Sequence, residues 1–165
     1  MPDENCLVIK DLTGKTLLEL AARDGVPKHK IFQNLDFANA VFDGLNLEGA
    51  HFDDCNLVGA SFRNADLYWA SFIMENLVGA NFHGADLRGA DFTEANLQKC
   101  QFCEADLGLD NVGGQTILDG ADLRGAVFHT ACLGKTSFKD AVYDSTTKFT
   151  TSFKPEDNGL IFKAQ

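Results

Sequence analysis

The 165 residues carry 24 acidic side chains against 14 basic ones, a net charge of −10 that repels nucleic acid and anionic membrane surfaces and excludes both as ready partners. Hydrophobic residues make up 45% and prolines number three, enough apolar material for one folded domain and too little proline for a disordered linker. No apolar run approaches the length of a membrane span, and the opening Met-Pro-Asp-Glu-Asn lacks the basic start of a secretion signal, so a cytoplasmic chain is expected.

Residues 1–31 read as an N-terminal cap built on one α-helix. Thr16-x-x-Glu19 is a capping-box pattern, Leu17, Leu20 and Ala21 share a stripe, and Gly25 followed by Pro27 would end the helix.

From Phe32 to Leu107 every fifth residue is Phe or Leu, without a miss. Five residues advance an α-helix by about 500°, which would spiral these side chains round its whole surface. A flat strand fails as well, because an odd step would send successive centres to opposite faces. A period of five suits a chain that turns a corner once per repeat and points each centre at a common axis, which is a solenoid. The residue two before most centres is small, as at Ala40, Ala50, Cys55, Ala60 and Ala65, so small and large side chains alternate inward. Asn or Asp precedes each Leu centre of this run, from Asn46 to Asp106, where a short side chain can bond the backbone of a tight corner.

The period breaks at residues 108–116 and resumes at Leu118, Leu123, Phe128, Leu133, Phe138 and Tyr143. Leu118 lies eleven residues after Leu107, one more than two repeats, which predicts a Gly-rich bulge or short loop. The repeat region is thus 32–143, about 26 Å tall at about 4.8 Å per stacked strand. Solenoid ends need covers. Residues 144–165 lose the period but keep Phe149, Phe153, Leu160 and Phe162, and read as a C-terminal cap.

Ala-Asp-Leu-Arg-Gly at 85–89 and again at 121–125 closely resembles the consensus of the pentapeptide-repeat family, a resemblance that covers about three quarters of the chain. It implies an all-β fold, a right-handed, four-sided parallel β-helix with four repeats per coil of twenty residues. Phe52, Phe72 and Phe92 would then stack in one column and Leu57, Leu77 and Leu97 in the next.

The search for chemistry returns little. Gly14-Lys15-Thr16 and Gly134-Lys135-Thr136 look like the ends of phosphate loops, yet Ile9 and His129 stand where the first Gly is required. His29, His51, His83 and His129 are scattered singly, without metal-ligand spacing. Cys100-x-x-Cys103 points one thiol inward and one outward by register, so the five cysteines read as reduced repeat residues. The chain is expected to be no enzyme and to hold no metal or cofactor.

The outer surface remains. The two positions after each centre are mostly polar or Gly, except Tyr68-Trp69, Ile73-Met74 and Val78, with Val58 one coil before Val78. These six form a candidate interaction patch, and Asp53, Asp54 and Glu94 a candidate acidic rim. A scaffold that binds another protein, as monomer or dimer, is the reading adopted, with the partner unspecified. The resemblance adds two alternatives: a mimic of duplex DNA that binds DNA gyrase, since the repeat region to Leu107 carries twelve acids against three bases, and a regulator-binding protein of cyanobacterial differentiation. Glu75 occupies an otherwise small inward position, so it either bends outward or is buried against a partner.

Overall fold

The computed structural model describes residues 6–23, 26–27 and 30–164; the first five residues, Gly25 and His29, read above, lie outside them. From Ile31 onward the chain winds into a parallel β-helix. Bridges link residues twenty apart, such as Asn56 to Asn76, Ser61 to Asn81 and Asp66 to Asp86, so four five-residue faces complete each coil. We call the faces A to D by their centres. Face A carries Phe52, Phe72, Phe92 and Leu118; face B carries Leu57, Leu77, Leu97 and Leu123. Face C carries Phe62, Phe82, Phe102 and Phe128, and face D carries Leu67, Leu87 and Leu107. All of these are at most 1% exposed, as are most of the alanines two before them.

The Phe columns are stacks. Rings on face C repeat at 4.8–5.1 Å and nearly parallel from Phe42 to Phe128, and face A does the same from Phe52 to Phe92. The two opposed columns meet edge to face at the axis, as in Phe62 against Phe72 at 5.6 Å and 79°. The stacking distance is the coil rise, so backbone ladder and ring packing share one repeat.

Most corners are turns in which the centre's carbonyl accepts the N–H three residues on, as from Ala70 to Leu67 (2.9 Å) and from Ala80 to Leu77 (2.8 Å). The residue two after the centre has positive φ, commonly Gly or Asn. Asn and Asp before the centres accept the N–H two residues on, Asp66 from Tyr68 and Asp86 from Arg88, both at 3.2 Å.

The N-terminal segment is no helix. Strands β1 (Cys6–Asp11) and β2 (Thr16–Arg23) form an antiparallel hairpin, β2 pairs with β3 (Val26–Pro27), and β1 pairs with β5 (Ala40–Val41) of the first coil. The turn explains the outcome: Asp11 Oδ1 accepts the N–H groups of Thr13 and Lys15 while Gly14 supplies φ +87°. An exposed sheet edge at Ala40–Val41 gives β1 ladder partners that a helix could not use. Ile9 and Ala22 are buried, closing the end that the helix was expected to cover.

The break at 108–116 is larger than a bulge. Asp91 bridges Ile117 and Asp106 bridges Cys132, each twenty-six apart instead of twenty. Leu107 on face D is therefore followed directly by Leu118 on face A, with six extra residues looped out between them. At the far end Phe149 stacks on Phe128 at 5.4 Å, and Phe153 closes over Phe138 and Phe149. A 3-10 turn, Pro155–Asn158, leads to β8 (Ile161–Phe162), which pairs in parallel with β7 (Val142–Tyr143). The remaining strands, β4 (Ile31–Gln33) and β6 (His51–Asp53), belong to face A.

Leu77→Ala is expected to cost about 2–5 kcal/mol in chemical denaturation, because neighbours held in a bonded ladder cannot close the cavity. Val112→Ser, at a position 83% exposed on the inserted loop, should change stability by under about 0.5 kcal/mol.

Candidate interaction surface

The inserted loop is docked on the coils below it, two coils down at Trp69. Asp110, 7% exposed, accepts the N–H groups of Val112 (2.8 Å) and Gly114, and its Oδ2 accepts the indole N–H of Trp69 at 2.9 Å. Burial pushes the Asp110 carboxyl up, but these donors prevail and hold it below the usual carboxylate range. The Trp69 ring lies across Gly89 of the next coil, where an added Cβ would stand 2.8 Å from the indole nitrogen. Gly89 is thus required by close approach as well as by its corner.

The structure divides the six patch residues. Tyr68 is on face D and Trp69 at the corner from D to A, their rings 6.5 Å apart. Ile73 is on face A and Met74 at the corner from A to B, exposed at 43% and 68%. Val58 and Val78 are half-buried neighbours on face B, opposite face D, so they share no surface with Tyr68. What is brought together is Trp69, Ile73 and Met74, around face A. Of the three acids read as a rim, Asp53 stands one coil below Ile73, and Asp54 and Glu94 one coil below and above Met74.

Two depressions on face A share His51, Ser71 and Ile73. One, about 400 Å³, lies between Trp69, Ile73 and the inserted loop at Gly114 and Gln115, beneath Ile117. The other, about 560 Å³, reaches past Met74 to Asp54 and Glu75. Trp69 and Met74 have φ of +58° and +61° at corner positions that Gly fills in many other repeats. A bulky side chain there costs on the order of 1 kcal/mol. The loop wall, Asp91 and Ile117 were missed in the sequence, although the phase of Phe and Leu carried a signal. Assigning Leu118 to face B would have thrown Phe128 onto the Leu face.

Glu75 is buried, 4% exposed, and reaches down one coil to accept the N–H groups of Asp54 (2.8 Å) and Cys55 (2.9 Å). Elsewhere such groups bond backbone carbonyls, as Asn64 N–H does to His83 and Ala65 N–H to Phe62. The carboxylate therefore replaces two backbone acceptors at one distorted corner. Burial, against those two donors, raises its pKa above the ordinary 4.5. Of the thiols, Cys55 and Cys100 are buried, Cys6 and Cys132 exposed, and Cys103 partly so; burial pushes Cys100 up to about 12. Among the described residues no group of His, Cys, Asp and Glu is arranged to hold a metal.

Family models described as a pentapeptide repeat region and as pentapeptide repeats (8 copies) match residues 29–108 and 114–142. Among solved structures the chain is similar to a trypsin-treated form of QnrB1, a plasmid-mediated fluoroquinolone resistance protein, at 18% identity over 81% of this chain and 84% of that chain, with a TM-score of 0.47. It is similar to alr5209, a pentapeptide repeat protein from Nostoc Pcc 7120, at 29% identity over 62% and 84%, with a TM-score of 0.31. HetL from Nostoc sp. strain PCC 7120, a pentapeptide repeat protein involved in heterocyst differentiation regulation, matches at 21% identity over 82% and 71%, with a TM-score of 0.32. No curated protein gives a significant match.

The buried Glu75 makes a pH prediction of definite sign. Its folded-state pKa is raised, so the folded chain binds the proton more tightly than the unfolded one, and ionised Glu75 costs stability above its folded midpoint. That cost is relieved as pH falls from the midpoint toward 4.5. The stability of wild type relative to Glu75→Ala should therefore grow as pH falls through the folded midpoint toward 4.5. A difference that shrinks, or an NMR midpoint for Glu75 at or below 4.5, contradicts the burial argument.

Proposed function

We propose that this chain, which belongs to the pentapeptide-repeat family, is a non-enzymatic scaffold that works by binding another protein through the surface around Trp69, Ile73 and Met74. One observation carries the reading. Met74 is 68% exposed at a corner where its backbone is strained and the larger part of its side chain faces solvent, so the fold gains little from a residue it holds at a cost. The other non-Gly residues at such corners are polar, so an exposed apolar side chain there points to use at the surface, and mixed aromatic and flexible apolar side chains with an acidic rim match the centre and edge of a protein interface.

Light scattering after size exclusion, with capture from the native host, tests it on wild type and on Trp69→Ala with Met74→Asp. The expected result is a monomer in both cases and a captured partner that the double variant loses. A wild-type dimer made monomeric by the two changes would replace the hetero-interface with self-association. If neither assembly nor capture changes, this surface has no role.

The acidic balance favours a second reading, a mimic of duplex DNA directed at gyrase. Duplex of about 26 Å carries roughly fifteen phosphate charges. The stretch from Phe32 to Leu107 offers twelve acids against three bases, and Asp86 is spent on a bidentate pair with Arg88. The chain is expected to leave gyrase supercoiling uninhibited at micromolar concentration; inhibition that weakens with salt would reverse the order of the two readings.

A further inference from the structure

We infer that the groove on face A is a docking slot for an extended, arginine-bearing segment of a protein partner; this rests on the interaction reading above and adds the chemistry of what is bound. The slot is a built feature. The six-residue insertion supplies one wall at Gly114 and Gln115, held by the Asp110–Trp69 hydrogen bond, Ile73 forms the other wall, and Ala70 and Asp91 lie in the floor. From His51 through Ser71 and Asp91 to Ile117 it spans three coil steps, about 14 Å, the length of four or five extended residues.

Its charge selects the occupant. Between the levels of Phe52 and Leu118, face A and its corner to face B carry Asp53, Asp54, Asp91, Glu94 and Asp119 and no Lys or Arg. Two acids on other faces are neutralised, Asp86 by Arg88 on D and Asp122 by Arg124 on B. Among the described residues none of the five face A acids forms an ion pair. Their hydrogen bonds come from neutral donors, Gln33 to Asp53, Thr93 to Asp91 and Ser137 to Asp119, which leave the negative charge uncompensated. Asp91 uses only Oδ1 in this way, so Oδ2 is open to a cation.

Trp69 narrows the choice to arginine. Its indole N–H is consumed by Asp110, yet the residue is 53% exposed, so the ring offers its π surface and not its donor edge. A guanidinium can lie on that surface while its N–H groups reach the Asp91 carboxylate, and Ile73 and Ile117 take the apolar neighbours of the arginine. An ammonium lacks the planar face, and an acidic segment would meet five like charges.

Trp69 is the one tryptophan of the chain, so its indole signal reports on the slot without a label. The probes are acetyl-Leu-Arg-Leu-Arg-Leu-amide and acetyl-Leu-Glu-Leu-Glu-Leu-amide, titrated into the ¹⁵N-labelled full chain. The arginine peptide is expected to shift the Trp69 indole and the Gly114, Gln115 and Ile117 amides saturably below about 1 mM, with affinity falling about tenfold in Asp91→Asn and in Ile73→Ser. Asp91→Asn keeps the acceptor for Thr93, so its amide spectrum should stay native away from the slot. No saturation, an equal response to the glutamate peptide, indifference to Asp91→Asn, or shifts centred on Ile161 and Phe162 would each overturn the inference. If the arginine peptide fails while host-protein capture still depends on Trp69 and Met74, the interaction reading survives and the arginine assignment falls.

Discussion

Every coil must turn four corners in twenty residues and still offer backbone hydrogen bonds to the coils on both sides. The corner residue with positive φ meets both demands at once: it turns the chain onto the next face and aims its N–H along the axis, as Asn64 does toward His83 at 2.9 Å and Gly79 toward Gln98 at 2.8 Å. That geometry leaves two inward positions per repeat, one filled by Phe or Leu and one by Ala. The interior is then filled by buried side chains, with rings spaced at the ladder distance. With backbone and core locked to one rise, a residue cannot be added to a face without breaking both.

The features of the candidate interaction surface are departures from this constraint. Six residues enter where they do least harm, between two faces, and are refastened by Asp110 to a tryptophan two coils away. Glu75 occupies a position made for alanine and repairs the corner at Asp54 and Cys55 with its own oxygens. Trp69 and Met74 accept strained backbone in exchange for reach beyond the surface. All of these border face A, where among the described residues none of Asp53, Asp54, Asp91, Glu94 and Asp119 forms an ion pair.

The five-residue period made the coil, its inward positions and the Asx corners legible, because one side chain of a given size per repeat is a requirement of geometry. The cap at the N-terminus was misread because Leu17, Leu20 and Ala21 fit a helix while Leu18, Leu20 and Ala22 fit a strand, and the choice was made by an edge at Ala40–Val41 that no local pattern reveals. The patch was half legible. Position after a centre shows that a side chain points outward, but which of four directions it takes depends on counting faces, and so Val58 and Val78 were grouped with residues on the opposite side. Asp110 looked like a loop residue because its bond to Trp69 spans forty-one positions.

Hydrogen exchange on the native chain, read amide by amide through the coils of Phe62 to Leu87, tests the corner argument most directly. In this stretch four N–H groups of a regular repeat bond backbone carbonyls, while the residue just after each centre, such as Arg63, Tyr68, His83 or Arg88, bonds only a nearby side chain. The account predicts slow exchange broken by a faster amide every fifth residue at these positions. Protection that alternates every second residue, or that shows no period of five, would contradict it.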